Sequence, residues 1–393
     1  MEHCTQISLW SSVEDLVRTR VREFVEEVVE EELTEFLERS RYERGGAGYR
    51  NGRRERTLVT TTGTMKLSVP RGRLNSGEGD KEFRSSVLPK GRRLTPRTES
   101  LIVATYLCGV STRNVELALT EALGAGVSKS SVSRALAALR PQFEGWKKRD
   151  LTDLKVKRLI LDGFGVPVRM DGKSHRLTTL VAIGIRDDGT KEVLALHAMA
   201  SESKEAWLQI LEDLSSRGVK GLDLVIGDGS KGLEAAISEV WANALVQRCT
   251  VHKERNLLAH APETMHEELK AEYSAMMYAD TAEQALDLRR AFLNRWRAKC
   301  PGVARSLEEA GDRLFTFLRF PPSQWKGIRT TNAIERLNEE FRRRVKVQGL
   351  EPSGESVCML FWALLASGKV VMRKAVGYES LNQPVKEELR LAA

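Results

Sequence analysis

Cysteine is scarce and scattered. The five, Cys4, Cys108, Cys249, Cys300 and Cys358, are odd in number and include no Cys-x-x-Cys pair. That pattern suits reduced thiols better than a disulfide framework. Long apolar runs are also missing: the longest, Val357 to Ala366, falls well short of the ~18 residues that span a bilayer. The first ten residues, MEHCTQISLW, hold no basic stretch followed by an apolar one, so no secretory signal is visible. A soluble intracellular protein is the expectation. At 393 residues, 41% apolar and 30% charged, the chain can bury a sizeable core and has room for two or three domains.

The formal net charge of +8 conceals a strong polarisation. Residues 1–38 carry three basic and eleven acidic side chains, whereas residues 39–100 carry sixteen basic and six acidic. Such asymmetry points to a polyanionic partner, although a basic run is also what a solvated face looks like.

Val13 to Leu37 reads as one acidic amphipathic helix, with Leu16, Val17, Phe24, Val28, Leu33, Phe36 and Leu37 near helical spacing. Leu58–Thr62 and Met65–Val69, split by Gly63, read as a short hairpin preceded by an Arg-rich loop, and 74–94 reads as a linker. Three short helices follow from Thr98. Ser111 caps the second, a Gly124-Ala125-Gly126 break closes it, and the third starts at Ser128. This arrangement is similar to a helix-turn-helix, with Lys129, Ser131 and Arg134 near its reading end. Strands at 158–169, 177–186 and 191–199 are separated by Asp171-Gly172 and Asp188-Gly189, both hairpin turn signals. A helix (204–216), a strand (222–226), a helix (230–241), a strand (244–249) and a helix from about Lys253 complete a βββαβαβα cadence. Residues 273–317 are helical in pattern, and a last helical stretch starts near Thr331.

Asp162 ends the apolar run of the first of these strands and Asp228 follows that of the fourth. In a sheet of the ribonuclease H type those strands are neighbours, and both carboxylates emerge at one edge. Two such carboxylates repel unless a cation lies between them, and hard oxygen donors suit Mg²⁺ or Mn²⁺. A third carboxylate would complete a two-metal site for in-line phosphoryl transfer, the ions ~4 Å apart. An Asp before a Gly is also simply a turn residue. The third acid is expected on the helix after Thr331, where Ile334, Leu337, Phe341 and Val345 form the core stripe. Periodicity there leaves Glu335 and Glu340 level. Arg342, Arg343 and Arg344 belong to a segment, 326–346, with seven basic and three acidic side chains, which fits a nucleic-acid backbone and fits a plain salt-bridged helix somewhat better.

Two other chemistries are weaker. Gly227-Asp228-Gly229-Ser230-Lys231-Gly232 matches a dinucleotide-binding turn. Its fingerprint wants an acid ~20 positions on, where Arg248, Cys249 and Thr250 stand, and three antiparallel strands ahead of it are foreign to that fold. Cys249 and His252 could be half a zinc site, but no second pair has suitable spacing.

Over nearly its whole length the sequence resembles the Mutator-type insertion-sequence transposases of bacteria. The resemblance is densest in GYRNGRRERTL (48–58), YLCGVSTRNVE (106–116), LDG at Asp162, IGDGSKGL (226–233), QRCTVHKERN (247–256) and WKGIRTTNAIERLNEEFRRR (325–344). It implies an α/β fold: a ribonuclease H-like core with an all-helical insertion between the second Asp and the Glu of a DDE triad. The triad then falls on Asp162, Asp228 and Glu335, spaced 66 and 107 residues apart, and Glu335 is chosen over Glu340. The family's Cys-x-x-His motif falls on Cys249 and His252, expected to support the active site beside Arg329 and Asn332.

The expected organisation is an acidic helix with a basic DNA-binding segment (1–97), a helix-turn-helix-like domain (98–150), a catalytic core (151–260 and 325–350), a helical insertion (261–324) and a helical tail (351–393). Terminal inverted repeats and target DNA are the implied partners, contacted by Arg50, Arg53, Arg54 and Arg56, and pairing two ends implies a homodimer or higher oligomer. A catalytically silent repressor that binds DNA is the alternative from another class. Two departures stand out: 74–83 is longer and more acidic than usual, and the Asp228 loop is richer in glycine.

Overall fold

The computed structural model describes residues 2–43, 48–76, 79–123, 127–348 and 353–386, without the side chains of 2–8, 75, 76, 79 and 344–348. The expected break at Gly124–Gly126 and the side chains of Arg344 and Val345 therefore lie outside the described residues. The chain forms two compact units, Met1–Ala138 and Leu139–Ala393.

In the first unit, helix α1 (Glu2–Leu37) lies on a sheet of β1 (Gly48–Thr60), β2 (Gly63–Ser76) and β3 (Gly79–Glu82), paired in that order. Val29, Leu33 and Leu37 are buried, and Val29 joins Leu58, Met65, Leu67, Val69 and Leu88 in one core. Leu16, Val17 and Phe24, expected on the same face, stay exposed. Gly72 lets the helix approach, since a Cβ there would meet Leu33 Cδ1 at 2.5 Å. Helices α2 (Pro96–Leu107), α3 (Thr112–Ala122) and α4 (Lys129–Ala137) follow, capped by Thr95, Ser111 and Ser128, whose side chains accept main-chain N–H bonds.

The expected Arg-rich loop is a strand, and part of the expected linker is β3. β1 continues from Thr60 back to Gly48, with a bulge between Arg50 and Arg53 at Gly52, whose φ is +70°. Four arginines and a glutamate in this stretch hide the apolar alternation that marks a strand. The charges are tolerated because the acidic helix lies alongside: Glu30 pairs with Arg50 and Arg53.

The second unit opens with α5 (Arg140–Lys147) and is built on β4 (Val156–Met170), β5 (Lys173–Arg186), β6 (Lys191–Met199), β7 (Leu224–Gly227) and β8 (Leu245–Arg248). The sheet order is β6-β5-β4-β7-β8, with the first two pairings antiparallel and the last two parallel. Asp171 and Gly172 turn β4 into β5 with φ of +51° and +77°, the signature of a type I′ hairpin. Helices α6 (Lys204–Ser216) and α7 (Lys231–Val240) are the crossovers, and Trp207, Ile210, Leu211, Leu233 and Ile237 fill the core against Leu159, Leu161 and Val225.

After α8 (Thr250–Ala259) come α9 (His266–Met277), α10 (Ala282–Lys299), α11 (Pro301–Ala310) and α12 (Pro322–Ile328), then α13 (Asn332–Gln348) and α14 (Gly354–Ala366). The longest apolar run of the sequence is the buried helix α14. Its Phe361 stacks on Phe341 of α13 at 3.9 Å, and both rings meet Phe164 of β4. That aromatic cluster seats α13 on β4. Among the described residues no helix is long and apolar enough to cross a membrane.

Candidate active site

The register of β4 and β7 decides where the two aspartates stand. Ile160 pairs with Ile226 in a parallel ladder, so Asp162, within β4, and Asp228, just past the end of β7, each two residues further, stand at one level. β4 runs on past this point paired with β5.

Asp162 is 7% exposed and its Oδ1 accepts the N–H of Gly163 at 2.9 Å. Burial is the main reason its carboxyl is pushed up to about 6. The charges of Asp228 and Glu202 add to the rise, while His252 and the Gly163 N–H oppose it. Asp228 Oδ1 accepts the N–H of Ser230 at 2.9 Å, fixing the turn into α7. Glu202, between β6 and α6, bends over Gly163: a Cβ at that glycine would overlap Oε1 and lie 2.7 Å from the carboxylate carbon.

His252 reaches the same place from α8. Its hydrogen bond with Cys249 raises it to about 9 against the effect of burial, helped by the charges of Cys249, Asp162 and Asp228. Burial alone would raise the Cys249 thiol, but bonds from His252 and Thr331 outweigh it and bring the thiol down. Each partner thus favours the charged form of the other. Cys249 Sγ accepts both the N–H and the hydroxyl of Thr331, at 3.4 and 3.5 Å, just ahead of α13. The Cys-x-x-His segment therefore joins the aspartate edge to the helix that carries Glu335.

Glu335 lies in the first turn of α13, partly exposed, with its Oε1 3.0 Å from Arg255 Nη1 of α8. Glu340 pairs with Arg343 at 2.6 Å. Ile334, Leu337 and Phe341 are buried as the periodicity requires. Arg329 is 6% exposed. It donates to the carbonyl of Met277 at 2.6 Å and lies 3.8 Å over the Tyr278 ring, so it braces α9 and faces away from solvent. Asn332 is exposed, its N–H on Thr330 Oγ1. The Arg342 guanidinium is 5.8 Å from the Phe164 ring. Among the described residues no three His, Cys, Asp or Glu side chains meet at metal-binding spacing. The donor chemistry nevertheless fits a hard divalent cation. A buried carboxylate and its neighbouring acids are offset in part by the Gly163 N–H and by an imidazole whose Nδ1 is buried without a hydrogen-bond partner.

In the first unit the expected DNA contacts divide. Arg50 is bound to Glu30 and Thr34, and Arg53 to Glu30 and Ser68. Arg56 donates to the carbonyls of Leu88, Pro89 and Arg92 at 2.6–2.9 Å. Arg54 is exposed and lines two adjoining hollows with Arg56, Arg71, Arg84, Lys90, Arg92 and Arg93. On α4, Lys129 and Arg134 are exposed, whereas Ser131 is buried, its hydroxyl 3.1 Å from that of Ser128.

The model of the family described as "Transposase, Mutator family" matches residues 1–371. The chain belongs to the Mutator family of transposases. It is similar to the transposase of insertion sequence element ISRM5 from Rhizobium meliloti (strain 1021), 33% identical over 96% of this chain and 94% of that one. It is similar also to the transposase of IS406 from Burkholderia multivorans, 34% identical over 85% and 86% of the two chains. For that of IS256 in transposon Tn4001 from Staphylococcus aureus the figures are 30% over 84% of each chain. A solved Drosophila P element transposase strand transfer complex covers 76% of this chain at 10% identity and a TM-score of 0.31, too loose a likeness to define the fold.

Within this Mutator-family chain, the site includes residues that sequence reasoning passed over. Arg248 is buried and donates to Glu234, Glu309 and, at 2.5 Å, the carbonyl of Gly229. It thus holds the Asp228 loop from behind, and Lys253 shares Glu309 at 3.0 Å. The glycines that resemble a dinucleotide fingerprint are packed against protein: a Cβ at Gly229 would meet Arg248, at Gly232 the main chain of Lys204, and at Gly227 Leu233. Arg248 stands where the fingerprint wants an acid, and that mismatch was the one available signal. Glu202 and Arg255 gave none, because only the folded sheet brings them to the aspartates and to Glu335.

Proposed function

We propose that this Mutator-family protein is a DNA transposase that binds the terminal inverted repeats of its element, cuts a strand at the end, and joins the freed 3′-hydroxyl to target DNA. The observation that carries the reading is the β4–β7 register, which sets two carboxylates at one level. The strand order and crossovers support a ribonuclease H-like core for residues 151–260 and 325–350.

Asp162 and Asp228 would hold Mg²⁺ or Mn²⁺, with Glu335 as the third ligand once it leaves Arg255. When bound, the metal lowers the pKa of water and offsets charge building on the phosphate. Arg248 and the Ser230 N–H hold the Asp228 loop in place. The His252 imidazolium, beside both aspartates, is suited to a phosphate oxygen. Cys249 and Thr331 position the Glu335 helix, and Arg329 stiffens that corner from within. Asn332, Arg342, Arg343 and Arg344 are assigned to the DNA backbone beside the site. In the first unit Arg54 and its basic neighbours contact phosphates, and Lys129 and Arg134 approach base edges, with Ser131 holding the cap between them.

The test is Mg²⁺-dependent nicking of a labelled duplex carrying the element's own end. Wild type should cut, while Asp228→Ala and Glu335→Gln should bind without cutting. End-binding with no cleavage by any of the three would favour a repressor. Cutting by Glu335→Gln would move the third ligand to Glu340.

A further inference from the structure

A further acid, Glu202, acts on Asp162 at the sheet edge, and neither the strand pattern nor the triad uses it. It follows β6 and precedes Ser203, the cap of α6, so its main chain is fixed at the end of a core strand. Its neighbours are occupied: Lys204 pairs with Glu239 at 2.9 Å, and Ser203 caps Ala206. The Glu202 carboxylate has no hydrogen bond and no ion pair among the described residues. It is instead laid over Gly163, the residue after Asp162, at a place where any Cβ would overlap it. The φ of Gly163 is not in the left-handed region, so the backbone does not call for glycine there. A side chain there would displace the Glu202 carboxylate, the flexible end of that residue.

Glu202 faces other acids, and the nearby His252 imidazole offsets their repulsion in part. Glu202 and Asp228 each make ionisation of Asp162 harder, and Asp228 does the same to Glu202. Repulsion also explains why the three carboxylates stand short of ligating distance, and a shared cation reverses it.

We propose that Glu202 is a further carboxylate of the metal site, joining Asp162 and Asp228 around a divalent cation while Gly163 makes room for it. This rests on the reading of the aspartate edge as a metal site. It gives that edge a third oxygen donor independent of Glu335, which Arg255 holds.

Mn²⁺ binding to the full-length protein, followed by the loss of the free-ion paramagnetic resonance signal with and without an end duplex, tests it without turnover. Wild type should take up Mn²⁺ and Asp228→Asn should lose it. Glu202→Gln should weaken the affinity by about tenfold or more, with a melting temperature no lower than wild type. Gly163→Ala, which displaces the carboxylate without removing it, should weaken Mn²⁺ binding in the same direction. Wild-type affinity in Glu202→Gln alongside loss in Asp228→Asn would overturn the role of Glu202 and leave the aspartates standing. A wild type that takes up no Mn²⁺ in either condition, or uptake indifferent to Asp228→Asn, would overturn the metal site itself and the proposal with it.

Discussion

At the scale of single residues, Asp162 gives the sharpest expectation because its environment works against its charge. Its pKa rises from 3.8 to about 6, through burial first and then through neighbouring acids. Between those values the folded chain holds a proton that the unfolded chain has released, so stability falls as pH rises across that window and stays reduced above it. Asp162→Asn removes the loss. In chelator at pH 8 the variant should be more stable than wild type by about 2–3 kcal/mol, and the difference should shrink towards pH 4. Thermal melts at the two pH values measure it. A variant less stable than wild type at pH 8 would mean that Asp162 is already compensated. Cys249 makes the opposite kind of contribution, since its sulfur receives both donors of Thr331. Cys249→Ala leaves those donors buried without an acceptor, at a cost of about 1–3 kcal/mol. Amide exchange at Thr331 and along the first turn of α13 should speed up while exchange in β4 and β7 is unchanged.

At the scale of elements, packing depends on a few close approaches. Gly72 is one: a methyl there would meet Leu33 Cδ1 at 2.5 Å and the Tyr49 carbonyl at 3.4 Å. Gly72→Ala should therefore lift α1 from β2 and cost about 1–3 kcal/mol, read as a lowered urea midpoint with loss of helical signal. The sequence carried β6 and α6 to the residue, because Lys191–Met199 is a clean buried strand and Ser203 a cap with an amphipathic run behind it. It also placed Asp162 and Asp228 at the ends of two apolar runs, and the βββαβαβα cadence, taken as a sheet of the ribonuclease H type, made those strands neighbours, as the β4–β7 pairing has them. It misread β1, where arginines occupy positions that an isolated strand could not afford and only the facing acidic helix makes tolerable. Glu202, Arg248 and Arg255 were illegible for a different reason. Each acts on a residue far away in the chain, and no local period reports a contact made by strand order.

At the scale of the whole molecule, the charge polarisation of the first hundred residues has a structural outlet. Much of the acidic helix is spent on the basic segment: Glu30 engages Arg50 and Arg53, Glu26 accepts the N–H of Ser68, and Glu32 binds Ser86. Arg54, Arg71 and Arg84, around the hollows, have no ion pair to that helix among the described residues. An excess of +10 over residues 39–100 thus overstates the charge offered to a polyanion, and Glu30 sets part of the difference. Glu30→Gln should release Arg50 and Arg53 on a surface that is otherwise unchanged. If that surface binds duplex DNA, the variant should bind more tightly at low salt. Its plot of log affinity against log salt should steepen by about 0.9 for each phosphate newly contacted, so by no more than about two for the two arginines. Arg54→Ala should shift the same plot the other way. Salt titrations of a labelled duplex with the three proteins, each checked for an unchanged melting temperature, separate the cases. A Glu30→Gln slope equal to that of wild type would mean that Arg50 and Arg53 serve the fold alone and that DNA is held elsewhere.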